Sequence, residues 1–150
     1  MSHKGDERII GEIFIQEYNH SNGCQLKLDE EYLSTREENA FPDLKFVNGD
    51  ELFAEVVRAV SPEIEKRKND HDNLELIEVD PSSELFIALD KKESKHYSDA
   101  ENIILLVHLP FYSEKFDISN LASAVRNKGY EFQEIWAVWD DRSIKPLKLA

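Results

Sequence analysis

Apolar residues recur at helical spacing in three parts of the chain. Residues 7–18 place apolar side chains three and four positions apart behind acidic residues, which favours a helix, although Gly11 weakens the pattern. Residues 81–97 begin with a proline that follows an aspartate, a common helix start, and they carry an apolar stripe. A third helix is predicted after Asp117, and it ends before Gly129.

Strands are predicted between these helices. Residues 40–60 contain two short apolar-rich segments joined by Asn48-Gly49, which is a strong hairpin signal. Residues 102–111 are apolar on both faces, as the central strands of layered α/β folds are. Residues 132–139 form the last predicted strand.

The order of these elements predicts the fold class. Helix, hairpin, helix, strand, helix, strand indicates one α/β domain over residues 1–150, of three-layer type, with a hairpin core flanked by helices. The predicted sheet is mixed and has about four strands. Its core spans about residues 7–139, and residues 140–150 form a tail. Residues 24–39 are irregular or partly helical, residues 69–73 form a loop, and residues 74–79 fit either a strand or a helix, so the structure of residues 24–39 and 69–80 stays open.

The length of the hairpin loop decides which residues share a face of the sheet. A two-residue loop pairs Asp43 with Ala54 and leaves apolar and charged groups mixed on both faces. A three-residue loop, residues 48–50, pairs Asp43 with Glu55 and makes one face wholly apolar. We prefer the three-residue loop for this cleaner pattern, whose apolar face consists of Leu44, Phe46, Leu52, Ala54 and Val56, with Asp43, Lys45, Glu51 and Glu55 on the other face.

This register brings two carboxylates together. Residues directly opposite each other on antiparallel strands have β-carbons roughly 5 Å apart. Asp43 and Glu55 therefore repel each other unless one is protonated or a cation lies between them. Mg²⁺ suits the pair, because it takes carboxylate oxygens and keeps several waters.

Pro42-Asp43, the turn and Glu55 within the next strand resemble the core of the PD-(D/E)xK nuclease-like superfamily, whose fold is restriction-endonuclease-like. The resemblance covers residues 7–139 as topology and three or four residues as a motif. It implies that Asp43 and Glu55 bind Mg²⁺ for phosphodiester hydrolysis. It also implies a further acidic ligand from the helix before the hairpin, here Glu12 or Glu17.

The lysine of this motif is replaced. It falls two residues after the glutamate in the superfamily, where this chain has Val57, and a valine cannot stabilise developing charge or orient a water. Three lysines are candidates to replace it. Lys45 shares the face of Asp43 in the preferred register, whereas Lys92 and Lys95 follow the apolar stripe of the 81–97 helix.

Composition narrows the choice of partners. The chain has 150 residues, of which 41% are hydrophobic, and its formal net charge is -13. This field repels nucleic acid overall and attracts a cation or a basic protein. Cys24 is the single cysteine, so no internal disulfide forms and a reduced, cytoplasmic setting is expected. The apolar run at 103–111 is too short to span a bilayer, so no membrane partner is predicted.

Two classes of function stay open. The first is a Mg²⁺-dependent endonuclease-like protein with a degenerate active site and a nucleic-acid substrate. The second is a non-catalytic acidic binding protein, such as an immunity or antitoxin protein that neutralises a basic toxin or nuclease by charge complementarity. A divalent ion between Asp43 and Glu55 favours the first, and an acidic patch away from the hairpin favours the second.

Overall fold

The computed structural model describes the chain in six ranges: residues 4–35, 42–58, 89–92, 102–109, 118–139 and 142–150. The helices labelled here are α1 (Lys4–Asn22), α2 (Glu30–Thr35) and α3 (Ile118–Lys128), and residues 89–92 are also helical. The strands are β1 (Lys27–Leu28), β2 (Leu44–Val47), β3 (Glu51–Arg58), β4 (Ile103–Leu109), β5 (Glu134–Trp139) and β6 (Leu147–Lys148).

These strands form one mixed sheet in the order β1-β2-β3-β4-β5-β6. β3, β4 and β5 are parallel, and the remaining neighbours are antiparallel. The predicted α/β class is confirmed, but the predicted strand number of about four is wrong, since the sheet has six strands among the described residues. The additional strands, β1 and β6, have two residues each at the two edges, and two residues are too few to show a period.

The hairpin adopts the three-residue loop preferred from the sequence. Leu44 pairs with Ala54, and Phe46 pairs with Leu52. Gly49 has φ 85°, a conformation that costs glycine little and other residues much more. Leu44, Phe46 and Ala54 are fully buried, so the face predicted to be apolar packs into one of the two cores of the protein.

Helix α1 covers this apolar face of the sheet, which we call the α1 face. Its residues Ile10, Ile13 and Phe14 are buried against Leu44, Phe46 and the alternate residues of β4 and β5. Gly11, which weakened the helical pattern, lies where the helix approaches the sheet most closely. A β-carbon at this position would lie 2.8 Å from Leu44 Cδ1, so any larger residue here would force the buried Leu44 side chain to shift.

The opposite face, called the α3 face, carries the second core. It is covered by α3 and by the 89–92 segment, and its buried residues include Leu89, Leu105, Val107, Val125 and Trp139. Because side chains alternate along a strand, the hairpin residues that do not face α1 face this side. The carboxylates of Asp43 and Glu55 thus belong to the α3 face.

The stretch predicted to be a tail contributes to this core. Leu149 is fully buried, and its backbone N–H donates to the carbonyl of Ile135 at 2.7 Å. β6 pairs with β5 through Ala137 and Leu147. The last residues therefore close one edge of the sheet. Within the 81–97 helix predicted from sequence, residues 89–92 are described and are helical.

Candidate functional site

Asp43 and Glu55 lie side by side where the hairpin register predicts them. The backbone N–H of Asp43 donates to Glu55 Oε1 at 3.0 Å, and the backbone N–H of Val56 donates to Asp43 Oδ2 at 2.9 Å. Each carboxylate is thus bonded to the backbone of the other strand. These reciprocal bonds hold both side chains in place, because the strands that carry them are already paired.

Lys92 completes the arrangement from the helical segment above the sheet. Its Nζ lies 2.8 Å from Glu55 Oε2, and the two side chains are 14% and 6% exposed. Leu89, three residues earlier and therefore on the same side of the helix, is fully buried in the α3-face core. Of the three lysines proposed from sequence, Lys92 is the one that reaches the carboxylates among the described residues.

The environment of this group changes the protonation of Glu55. Burial raises the pKa of Glu55 to about 8, helped by the hydrogen bond and negative charge of Asp43, while Lys92 acts in the opposite direction. Two adjacent carboxylates in a buried site share a proton for this reason. With one shared proton, Asp43, Glu55 and Lys92 together carry no net charge.

The remaining lysine candidates differ in position. Lys45 is on the same face as Asp43, as predicted, but its Nζ lies 3.3 Å from Glu51 Oε1 and 5.8 Å from the centre of the Phe53 ring. Lys95 lies outside the described residues. Val57, at the motif lysine position, is half-buried and packs against the α3-face core.

The structure does not bring the predicted acid of α1 to the pair. Glu12 lies 3.4 Å from Arg142, and Glu17 accepts a hydrogen bond from Ser21 Oγ at 3.4 Å. The reason is the alternation along the hairpin: α1 packs on one face, and Asp43 and Glu55 occupy the other. In the part of the chain that the structure describes, no group of three or more His, Cys, Asp or Glu residues is arranged to hold a metal ion.

Two tyrosine contacts near this site were not predicted. Tyr32 Oη donates to the carbonyl of Pro42 at 2.6 Å, next to Asp43, and Tyr130 Oη donates to Asp90 Oδ1 at 2.6 Å, next to the lysine segment. A sequence signal exists for the first. Asp29 accepts the backbone N–H of Tyr32 at 3.0 Å as a helix N-cap, and its place before two glutamates is a recognisable start of α2.

A separate cavity of about 360 Å³ lies between α1 and residues 142–146. It is lined by charged and apolar side chains: Ile13, Gln16, Glu17, His20, Arg142, Ile144, Lys145 and Pro146. Asp43, Glu55 and Lys92 do not line this cavity. No helix among the described residues has the length and apolar character needed to cross a bilayer.

Comparison with protein-family models, curated proteins and solved structures finds no match to this chain. The chemistry of Asp43, Glu55 and Lys92 is therefore the main guide to function.

Proposed function

We propose that the protein is a metal-dependent phosphodiester hydrolase of the PD-(D/E)xK nuclease-like, restriction-endonuclease-like kind, in which Lys92 replaces the lysine of the motif. One observation carries the proposal: Lys92 Nζ lies 2.8 Å from Glu55 Oε2, beside Asp43. Two acids and a lysine, the residue types that the motif uses, thus meet at one place, and the lysine comes from a helix and not from β3.

The donor set fits Mg²⁺. Asp43 and Glu55 would hold the ion, since a carboxylate oxygen that accepts one N–H bond keeps a second lone pair for a cation. Mg²⁺ commonly binds through one or two carboxylates and retains waters, so a third protein ligand is not required. A divalent cation in place of the shared proton leaves the group with one net positive charge, which suits a phosphodiester.

Each protein group then has a defined role. Bound Mg²⁺ supplies polarisation of the phosphate and a lowered pKa for a coordinated water. The Lys92 ammonium stabilises the negative charge that develops on the phosphate oxygens as water attacks phosphorus. The attacking water releases a proton to solvent, the bond from phosphorus to the leaving oxygen breaks, and that oxygen takes a proton from solvent. The backbone-bonded carboxylates of buried Glu55 and half-buried Asp43 keep their orientation throughout.

The test is cleavage of single- and double-stranded DNA and RNA with Mg²⁺ or Mn²⁺. Glu55→Gln and Lys92→Met should each lower the rate by about 100-fold or more, the usual cost of losing a group that stabilises the transition state. Lys91→Met is the matched control, because Lys91 is the exposed neighbour of Lys92, and it should cleave like wild type. Absence of metal-dependent cleavage by the wild type, or equal cleavage by Glu55→Gln, would refute the proposal.

The second candidate is the non-catalytic acidic binding protein, such as an immunity or antitoxin protein with a basic partner. The observation that favours it is the net charge of -13, together with the charge balance that Lys92 already gives the carboxylate pair. This function predicts that Mg²⁺ leaves the thermal stability unchanged. Thermal melts with and without Mg²⁺, for wild type and Glu55→Gln, therefore separate the two. Both functions suit the cytoplasmic setting expected from the sequence.

A further inference from the structure

The position of Lys92 depends on how its helical segment is held over the sheet. Besides Lys92, both Leu89 and Asp90 make contacts with distant parts of the chain. Leu89 is buried in the α3-face core, and Asp90 accepts a hydrogen bond from Tyr130 Oη at 2.6 Å across 40 positions of sequence. Lys128 Nζ lies 3.9 Å from the other oxygen of Asp90.

The two contacts act on different flanks of the helix. Side chains advance by about 100° per residue, so Lys92 lies about 60° to one side of Leu89 and Asp90 about 100° to the other. Leu89 sets how deeply the segment sits in the core. A turn of the segment about its own axis would carry Lys92 away from Glu55. The bond to Asp90 opposes that turn from the opposite flank.

The position of Tyr130, the hydrogen-bond donor to Asp90, is itself fixed by the surrounding structure. It follows Gly129, whose φ of 67° ends α3, and the Gly129 N–H bonds back to the Arg126 carbonyl at 3.2 Å. The Tyr130 ring packs against the α3-face core. The ring is thus anchored to the body of the protein, and its hydroxyl is presented to Asp90.

We propose that Tyr130 is a positioning residue for Lys92. Through its hydrogen bond to Asp90, Tyr130 sets the rotation of the 89–92 segment and so places the Lys92 ammonium on Glu55. The consequence for catalysis rests on the proposed function, whereas the placement of Lys92 is a property of the fold and is measured without activity.

The first test measures the accessibility of the Lys92 amine. Reductive methylation with formaldehyde and a borohydride, followed by peptide mass spectrometry, reports the modification rate of each lysine. In Tyr130→Phe the rate at Lys92 should rise about three- to tenfold, the range expected for loss of one hydrogen bond. Lys148, which pairs with Glu134 at 3.5 Å on β6, is the internal reference and should not change.

Matched variants distinguish a specific loss of Lys92 positioning from a general destabilisation of the protein. Tyr32→Phe removes a hydrogen bond of the same 2.6 Å length beside Asp43 and should leave the Lys92 rate at the wild-type value. Asp90→Asn keeps an oxygen that accepts from Tyr130 and should behave like wild type, whereas Asp90→Ala should behave like Tyr130→Phe. An unchanged Lys92 rate in Tyr130→Phe, a parallel rise at Lys148, or equal rises in Asp90→Asn and Asp90→Ala would each overturn the proposal.

The second test applies to cleavage activity. Tyr130→Phe should lower kcat by about tenfold with unchanged Mg²⁺ affinity, and it should have no further effect in a Lys92→Met background. An equal loss in both backgrounds would show that Tyr130 does not act through Lys92 and would overturn the proposal. If Lys92 becomes accessible in Tyr130→Phe but the wild type cleaves no substrate, the positioning role stands and the proposed function fails.

Discussion

At the scale of single residues, Glu55 is an unusual feature of the part of the chain that the structure describes. It is a glutamate with 4% exposure in the middle of a strand, and burial of a carboxylate is costly unless a proton or a cation compensates. Asp43 increases this cost and Lys92 reduces it. The protein thus maintains a buried glutamate beside a half-buried aspartate, and a carboxylate whose pKa is strongly shifted in this way is typical of a functional site.

The raised pKa of Glu55 predicts a specific pH dependence of stability. The pKa rises from 4.5 to about 8 on folding, so between these values the folded state holds a proton that the unfolded state has lost. The free energy of unfolding contributed by Glu55 is therefore greatest below pH 4.5 and falls as the pH rises through 8, by at most about 1.4 kcal/mol per pH unit.

Urea unfolding of wild type and Glu55→Gln from pH 5 to about pH 8.5 measures this contribution, since glutamine cannot titrate. Glu51→Gln removes an exposed acid from the same strand and is the control. The difference between wild type and Glu55→Gln should decline with pH more steeply than the difference for the control. Parallel curves for the two variants would contradict the assignment.

At the scale of elements, the local sequence pattern determines the hairpin, whereas tertiary contacts determine the two edge strands. The hairpin register followed from alternation and loop length, both of which are local properties. The edge strands β1 and β6 did not follow from any pattern, because each has two residues and exists only by pairing with a longer neighbour. Leu147 and Lys148, which lie in the predicted tail, form an edge strand because they pair with β5.

The role of the last residues is tested by two leucines. Leu149→Ala should lower the free energy of unfolding by about 2–5 kcal/mol, because Leu149 is fully buried and its loss leaves a cavity in the α3-face core. Leu147→Ala, at an exposed leucine of β6, should change it by about 0.5 kcal/mol or less. Chemical denaturation of both variants measures the difference. Similar small losses would mean that residues 147–150 do not belong to the core.

At the scale of the whole molecule, the net charge of the protein has the same sign as the charge of the proposed substrate. The proposed hydrolase acts on a polyanion, yet the chain carries a net charge of -13. The local group of Asp43, Glu55 and Lys92 becomes positive with a divalent cation bound, but substrate must first approach through a negative field. Association of substrate is therefore expected to depend on screening.

The repulsion between protein and substrate predicts an uncommon salt dependence. For the proposed hydrolase, kcat/KM should rise when NaCl increases from about 10 mM to about 150 mM at fixed Mg²⁺, because screening weakens the overall repulsion. Nucleic-acid binders with a basic face show the reverse. For the acidic binding protein, association with a basic partner should slow over the same range. A hydrolase whose kcat/KM falls with salt would contradict the dominance of the net charge.

The sequence by itself determined the structural features that depend on interactions between residues close together in the chain. The presence of a helix over residues 7–18, the buried β4, the hairpin register and the opposition of Asp43 and Glu55 all follow from side-chain periodicity and turn chemistry within a few residues, although α1 is longer than predicted, Lys4–Asn22. The sequence also offered Lys45, Lys92 and Lys95 as candidates to lie beside the carboxylate pair, but it could not choose among them.

The tertiary structure decided what depends on packing between distant segments. Lys92 reaches Glu55 across 37 positions because the 89–92 segment docks on the α3 face, and no local pattern encodes which face a helix covers. Helix α1 packs on the opposite face of the sheet, and this packing separates Glu12 from the carboxylate pair. Periodicity tells which side of an element is apolar, whereas the partner of that side is set by the packing of the whole chain.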